Sequence, residues 1–179
     1  MKHPVIGFIS SSPPSDRKAS SGTAHAIAQQ LKGMGTLYWI PAPRSRYYRI
    51  MELVAKVLSR LFRKNISFGN TTLGAKTLAS GIKSDLFDKC DILVAFFTGS
   101  KLGYVDLKGK PLIYLSDATF SAMINYYPPF CRLWKWNIHQ GIVLEKKAMD
   151  KSNAIVLSSK WSADSAVCDL KQSPEKIHI

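Results

Sequence analysis

Polar residues that could do chemistry stand directly after an apolar segment in the second half of this chain. Asp117 follows the mostly apolar residues 110–116, and Thr119 lies two residues further on. A carboxylate at the end of a buried strand can accept a hydrogen bond from a substrate, or it can cap the following helix, because Asp is among the best capping residues. The pattern therefore predicts either a binding residue or a helix cap at Asp117.

A second candidate is the polar loop of residues 10–23, which ends in Ser20, Ser21, Gly22 and Thr23. We predict that Ser20 or Ser21 caps a helix over residues 22–34. The free backbone N–H groups and the dipole at such a helix start favour an anion or a sugar hydroxyl. A serine-rich cap without a ligand is the alternative.

A third candidate is the aromatic segment of residues 120–130, in which Tyr126 and Tyr127 precede two prolines. Aromatic rings stack on sugars and also sit at the level of lipid headgroups, because they join an apolar body to a polar group. Packing of these rings in the core is the alternative. Together with Thr119, the two tyrosines are our candidates for contacts with a sugar or a lipid.

The most periodic segment is residues 44–65, where apolar residues recur at helical spacings of three and four. Seven basic residues accompany a single acid, Glu52, in this segment. They are Arg44, Arg46, Arg49, Lys56, Arg60, Arg63 and Lys64. Basic amphipathic helices of this kind rest on anionic membranes, so we predict that the basic face meets lipid. The apolar stripe is expected to pack on the sheet, as in an ordinary surface helix.

Composition limits the class of protein. The 179 residues carry a net charge of +13, with 46% hydrophobic residues, which suits one compact domain. The odd number of cysteines, three, has no C-x-x-C spacing, and the histidines lack partners at metal-ligand spacing, so neither a disulfide framework nor a metal site is predicted. We expect a cytoplasmic protein, because no apolar run is long enough to span a bilayer or to form a signal peptide.

Apolar strand-like runs alternate with helical segments along the whole chain. Strands are predicted at residues 4–10, 36–40, 91–97, 110–116, 154–157 and 176–179, and further helices at residues 71–89 and 133–150. This alternation predicts an α/β fold: a Rossmann-like, doubly wound parallel sheet with helices on both faces. Asp117 and the loop of residues 10–23 then lie at the carboxyl edge of the sheet, where ligands bind.

Two stretches of sequence resemble a known family. They are the strand end Tyr114-Leu115-Ser116-Asp117-Ala118-Thr119-Phe120 and the block from Glu145 to Ile179, with its Ala-Ile-Val-Leu strand, its Ser-Lys-Trp helix start and its Glu-Lys-Ile-His-Ile ending. This sequence pattern resembles the N-terminal, acceptor-side domain of retaining glycosyltransferases of the GT-B fold, family 4 (glycosyl transferase group 1). The resemblance implies that residues 1–179 are an acceptor-binding domain and that a nucleotide-sugar-binding C-terminal domain lies outside this chain.

The resemblance also implies a reaction. A hexose would pass from a nucleotide-sugar donor, held mainly by the other domain, to a glycan or lipid-linked acceptor with retention of configuration. Asp117 stands where the family carries a residue, often His, that faces the reacting sugar, which makes it our catalytic candidate. Residues 20–23 stand where the family has a glycine-rich turn near the phosphates. Under this resemblance the acceptor would be bound by Thr119, Tyr126 and Tyr127, and Glu145 would orient its helix by pairing with Lys146 or Lys147. No cofactor and no divalent metal are implied. A peripheral position on the inner face of the cell membrane fits lipid-linked acceptors.

A different class of function remains open. The chain could be a flavodoxin-like basic module that binds nucleic acid or anionic surfaces without catalysis. Nucleic acid is not expected, because the basic helix is interleaved with aliphatic rather than stacking aromatic residues. A P-loop or dinucleotide-binding enzyme is excluded, since neither G-x-x-x-x-G-K-[ST] nor G-x-G-x-x-G occurs.

Overall fold

The computed structural model describes residues 3–179 and contains a six-stranded sheet in which every strand pair is parallel. The strands are β1 (Val5–Ser10), β2 (Thr36–Pro41), β3 (Ile92–Phe96), β4 (Leu112–Ser116), β5 (Ala154–Leu157) and β6 (Ile177–His178). They lie in the order β2-β1-β3-β4-β5-β6. This arrangement confirms the α/β fold, and the order 2-1-3-4-5 is one of the two common doubly wound orders.

Helices cover both faces of the sheet. They are α1 (Thr23–Met34), α2 (Arg46–Phe62), α3 (Thr72–Ala79), α4 (Phe120–Met123), α5 (Lys135–Asp150) and α6 (Lys160–Cys168), joined by short 3-10 turns. Alternate residues of β1 enter different apolar layers, because successive side chains of a strand point to opposite faces. Phe8 packs with Ala24 and Ala28 of α1, whereas Ile9 belongs to the larger layer that contains Ala148 of α5.

The helix predicted over residues 71–89 is wrong in its extent. α3 ends at Ala79, and a 3-10 turn, Ser84–Lys89, follows after a break. The break includes Gly81, where an added Cβ would lie 3.0 Å from the backbone oxygen of Pro43. The chain turns here, which lets Phe87 reach the core, where it is fully buried.

The amphipathic helix is present as α2, but the expected packing of its apolar stripe is wrong. Only Tyr48 and Ala55 of this helix are buried, in a small cluster with Phe68 and Leu78. Every residue of the predicted stripe is exposed: Ile50, Leu53, Val54, Val57, Leu58, Leu61 and Phe62. The reason is that α1, α3, α5 and α6 already supply the buried helical residues of the two sheet layers, so α2 packs on α3 and the turn before it.

Within residues 3–179, no helix combines the length and the apolar composition that crossing a bilayer requires.

Candidate functional site

A cavity of about 380 Å³ opens at the carboxyl edge of the sheet. Its walls include Ser11 after β1, residues 97–101 after β3 and residues 116–118 at the end of β4. The chain runs from β1 to β2 on one side and then returns to β3 on the other side of β1. Ligands of open parallel sheets bind at such a switch point, because the segments that follow the strands diverge there. This cavity is therefore the candidate functional site.

Asp117 lines the cavity, and its side chain is exposed. The hydroxyls of Ser158 and Ser162 donate to its backbone oxygen at 2.9 and 2.6 Å, which fixes the end of β4 against α6. Among residues 3–179, no group donates a hydrogen bond to its carboxylate. The helix-cap role that the sequence left open for Asp117 is taken by Thr119, so the Asp117 carboxylate is free to meet a ligand.

Thr119 is fully buried and does not reach the cavity. Its hydroxyl accepts from the N–H of Ala122 at 3.0 Å, as the N-cap of α4, and lies 2.7 Å from the hydroxyl of Ser165. Tyr126 and Tyr127 are exposed rather than packed in the core, and they do not line the cavity. The Tyr126 ring lies 5.1 Å from the ring of Trp161, centroid to centroid. These aromatic rings form a surface patch separate from the Asp117 site.

The loop of residues 20–23 differs from its predicted capping. Ser20, Ser21 and Gly22 all have positive φ angles, of 50°, 54° and 84°, and α1 starts at Thr23 with Gly22 as its N-cap. Neither serine side chain caps the helix, so that prediction is wrong. The left-handed backbone turns both serines away from the geometry in which a cap side chain faces the first N–H groups. Ser20 instead lines a small hollow with Ser11, beside the main cavity.

Glu145 is a residue of the site whose role the sequence did not reveal. Its carboxylate is buried, accepting from the Tyr114 hydroxyl at 2.9 Å and from the backbone N–H of Phe120 at 2.6 Å. Burial raises its pKa to about 7, although both hydrogen bonds act in the opposite direction. The expected pairing with Lys146 or Lys147 is wrong, because Lys146 pairs with Asp150 at 2.8 Å and the Nζ of Lys147 lies over the Tyr104 ring. Glu145 instead ties α5 to the segment that carries Asp117.

Lys101 is the other unanticipated residue. It lines the cavity with only 5% of its surface exposed, and its Nζ donates to the hydroxyl of Ser11 at 3.2 Å. Burial, with a smaller contribution from the positive charge of Arg44, lowers its pKa from 10.5 to about 8. No acid of residues 3–179 forms an ion pair with it. A lysine in a Thr-Gly-Ser-Lys turn gave no sequence signal that it would be buried.

A basic groove of about 950 Å³ adjoins the cavity and shares Arg44 with it. The groove is lined by four members of the predicted basic set and by Arg132 from the loop opposite. The four are Arg44, Lys56, Arg60 and Arg63. The remaining members of the set lie outside it and are exposed: Arg46, Arg49 and Lys64. The basic surface is therefore continuous with the candidate site.

The apolar side of α2 faces solvent. Ile50, Leu53, Val57 and Leu61 follow each other at spacings of three and four and so form one ridge on the helix, which we call the apolar ridge. Leu53 is 63% exposed and Leu61 is 71% exposed. An apolar groove of about 530 Å³ runs along the neighbouring side of the helix. Exposed apolar surface of this extent on one element is typical of a binding surface.

Within residues 3–179, no group of three or more His, Cys, Asp or Glu side chains is placed to hold a metal ion. No protein-family model matches the chain. A search of curated proteins likewise returned no match.

Proposed function

We propose that this chain is the acceptor-side domain of a retaining glycosyltransferase, which moves a hexose from a nucleotide-sugar to a glycan or lipid-linked acceptor. The observation that carries the proposal is the position of Asp117 in a cavity at the switch point of a parallel sheet. The resemblance of residues 114–120 and 145–179 to family 4 supplies the reaction. A donor-binding domain outside these residues would hold the nucleotide.

The proposed role of Asp117 is to position the reacting hydroxyl. Its exposed carboxylate accepts a hydrogen bond from the acceptor hydroxyl and holds that group in the cavity. The hydroxyl oxygen then bonds to the anomeric carbon on the face from which the diphosphate departs, and the hydroxyl proton passes to the departing diphosphate oxygen. Catalysis by such a site rests on orientation and on stabilisation of developing charge. Glu145 is a positioning residue, because it acts through the backbone N–H of Phe120 three residues beyond Asp117.

The experiment is Asp117→Asn in the protein that joins this chain to its donor-binding domain. Transfer of label from a panel of nucleotide-hexoses to a membrane lipid extract should fall by about 10²-fold, because a neutral amide holds the hydroxyl less firmly than a carboxylate and a misplaced reacting group costs about that much. Asp164→Asn is the matched control, because Asp164 is an exposed carboxylate that pairs with Lys160 on the surface. The melting temperatures of both variants should match the wild type.

Near-normal transfer by Asp117→Asn would remove Asp117 from the reaction. Absence of transfer in the wild-type protein from every nucleotide-sugar tested would contradict the proposed activity itself.

Binding to an anionic membrane surface is a second candidate function, favoured by α2. Its apolar ridge projects into solvent while its basic residues flank it, which is the arrangement of interfacial helices. Each basic residue near an anionic leaflet contributes about 1 kcal/mol, and each large apolar side chain that enters the interface contributes about 1.5–3 kcal/mol. Several of each make reversible binding favourable. The proposed location is the cytoplasmic face of the cell membrane.

Vesicle flotation tests this second function. The chain should float with vesicles that contain anionic phospholipid. When the vesicles are neutral, it should remain in the bottom fraction. Leu53→Glu should weaken binding by about tenfold or more, because it removes one inserted side chain. Met34→Glu is the matched control, since Met34 is 67% exposed on a different helix, α1.

Equal weakening by Leu53→Glu and Met34→Glu would show that net charge alone governs binding. If the protein does not bind anionic vesicles but forms a salt-sensitive complex with RNA, the nucleic-acid alternative is favoured instead.

A further inference from the structure

Lys101 has more hydrogen-bonding capacity than the protein uses. An ammonium group has three N–H donors, and the Nζ of Lys101 makes one hydrogen bond among residues 3–179, to the hydroxyl of Ser11. A buried charge is unfavourable unless it is paired or fully hydrogen-bonded. Since Lys101 lines the main cavity, the group that completes its environment can come from a ligand.

A second group in the same wall is also unsatisfied. The hydroxyl oxygen of Thr98 is buried and has no hydrogen-bond partner within the described residues. Thr98 lies three residues before Lys101 and lines the same cavity. Nearly all buried polar side chains in proteins have a partner, so the Thr98 hydroxyl keeps an unused donor and an unused acceptor in this wall.

A second cation stands at the same cavity. Arg44 is near enough to Lys101 for its charge to lower the pKa of the lysine. The guanidinium of Arg44 is 3.6 Å from Glu52, an interaction too long to be a strong hydrogen bond, and the arginine side chain is 56% exposed. Two like charges beside one cavity disfavour each other until an anion lies between them.

We infer that Lys101, Thr98 and Arg44 form a binding site for a phosphate group, with Ser11 holding the lysine in place. Phosphate supplies several strong acceptor oxygens and a charge opposite to that of both cations. A group of this size fits within a cavity of about 380 Å³ with room for a sugar ring beside it. The inference deepens the proposed function and rests on it for one point: the phosphate belongs to the donor or to a lipid-linked acceptor.

Calorimetry with three probes tests the site on the 179-residue chain: inorganic diphosphate, uridine diphosphate and geranyl diphosphate. Millimolar or tighter binding of inorganic diphosphate is expected. Lys101→Met should weaken it by about tenfold to a hundredfold, the range for one lost hydrogen bond to a charged group. Lys32→Met is the control, because Lys32 is exposed on α1 and the change in net charge is the same.

A second variant and a spectroscopic measurement distinguish the loss of a binding group from misfolding of Lys101→Met. Arg44→Gln changes an exposed side chain and should also weaken binding. In the wild type, saturating diphosphate should raise the pKa of Lys101, measured from the NMR shift of its side-chain carbon. Tighter binding of uridine diphosphate than of inorganic diphosphate would assign the site to the donor, whereas tighter binding of geranyl diphosphate would assign it to a lipid-linked acceptor.

The inference is overturned if none of the diphosphates binds at millimolar concentration, or if Lys101→Met binds them as the wild type does. Failure of the proposed function gives a different result. Diphosphate would then bind through Lys101, while the protein with its donor-binding domain would transfer no sugar.

Discussion

Replacing Lys101 with Met should stabilise the protein, although the substitution removes a residue of the candidate site. In the folded protein burial lowers the pKa of Lys101 from 10.5 to about 8. A difference of that size corresponds to about 3 kcal/mol by which the fold disfavours the charged lysine near neutral pH. Methionine has a similar length and no charge. The hydroxyl of Ser11, which loses its donor, is exposed and can hydrogen-bond to water.

The advantage of Lys101→Met should depend on pH in a defined way. Because the folded pKa lies below the unfolded one, the unfolded wild type binds more protons between about pH 8 and 10.5, and its stability rises with pH across that window. The free energy of unfolding of the variant should therefore exceed that of the wild type by up to about 3 kcal/mol below pH 8. The difference should vanish as the pH approaches 10.5.

Urea denaturation followed by tryptophan fluorescence at several pH values measures this difference, since the chain has four tryptophans. Groups that titrate in both proteins cancel in the comparison. Lys32→Met should stay within about 0.5 kcal/mol of the wild type at every pH, as surface substitutions usually do. The reasoning about Lys101 is refuted if Lys101→Met is less stable than the wild type near neutral pH and the difference in their free energies of unfolding does not change between pH 8 and 10.5.

Three further outcomes are expected. Glu145→Ala should lower the free energy of unfolding by roughly 2–6 kcal/mol, because the Tyr114 hydroxyl and the Phe120 N–H each lose a buried acceptor; a loss below about 1 kcal/mol in urea denaturation would contradict this. The pKa of Glu145 is raised from 4.5 to about 7, so its contribution to stability is present below pH 4.5 and is lost as the pH rises to about 7. The melting temperature of Glu145→Gln should therefore depend less on pH across that range than the melting temperature of the wild type. Gly141→Ala should lower the free energy of unfolding by about 1–3 kcal/mol, since the new Cβ would overlap the Phe120 ring. Gly33→Ala has open space around it and should stabilise α1 by up to about 1 kcal/mol. Equal effects of the two alanines in thermal unfolding would disprove the close approach of Gly141 to Phe120.

Local sequence patterns were sufficient for the order and type of the strands. Each predicted strand overlaps an observed one, and the fold class follows from their alternation with helices. The sequence also located Asp117 at the end of β4, because an apolar run that stops at a polar residue marks the strand end. These features depend on neighbours within a few positions, which a sequence displays directly.

The environment of each side chain depended on residues distant along the chain. Periodicity showed that Ile50, Leu53 and Leu61 share a face of α2, but it could not show that other helices already cover the sheet. Lys101 and Glu145 look like ordinary surface residues in the sequence. The lysine is buried against Ser11, 90 positions earlier, and the glutamate against Tyr114, 31 positions earlier.

The sequence by itself determined the alternating elements of this protein and the strand end that carries Asp117, because hydrophobic period and turn chemistry act locally. Only the tertiary structure decided which charges lie in the cavity and which apolar face stays uncovered. Burial, pKa and exposure are set by groups that the fold brings together from distant parts of the chain, and no local pattern records them.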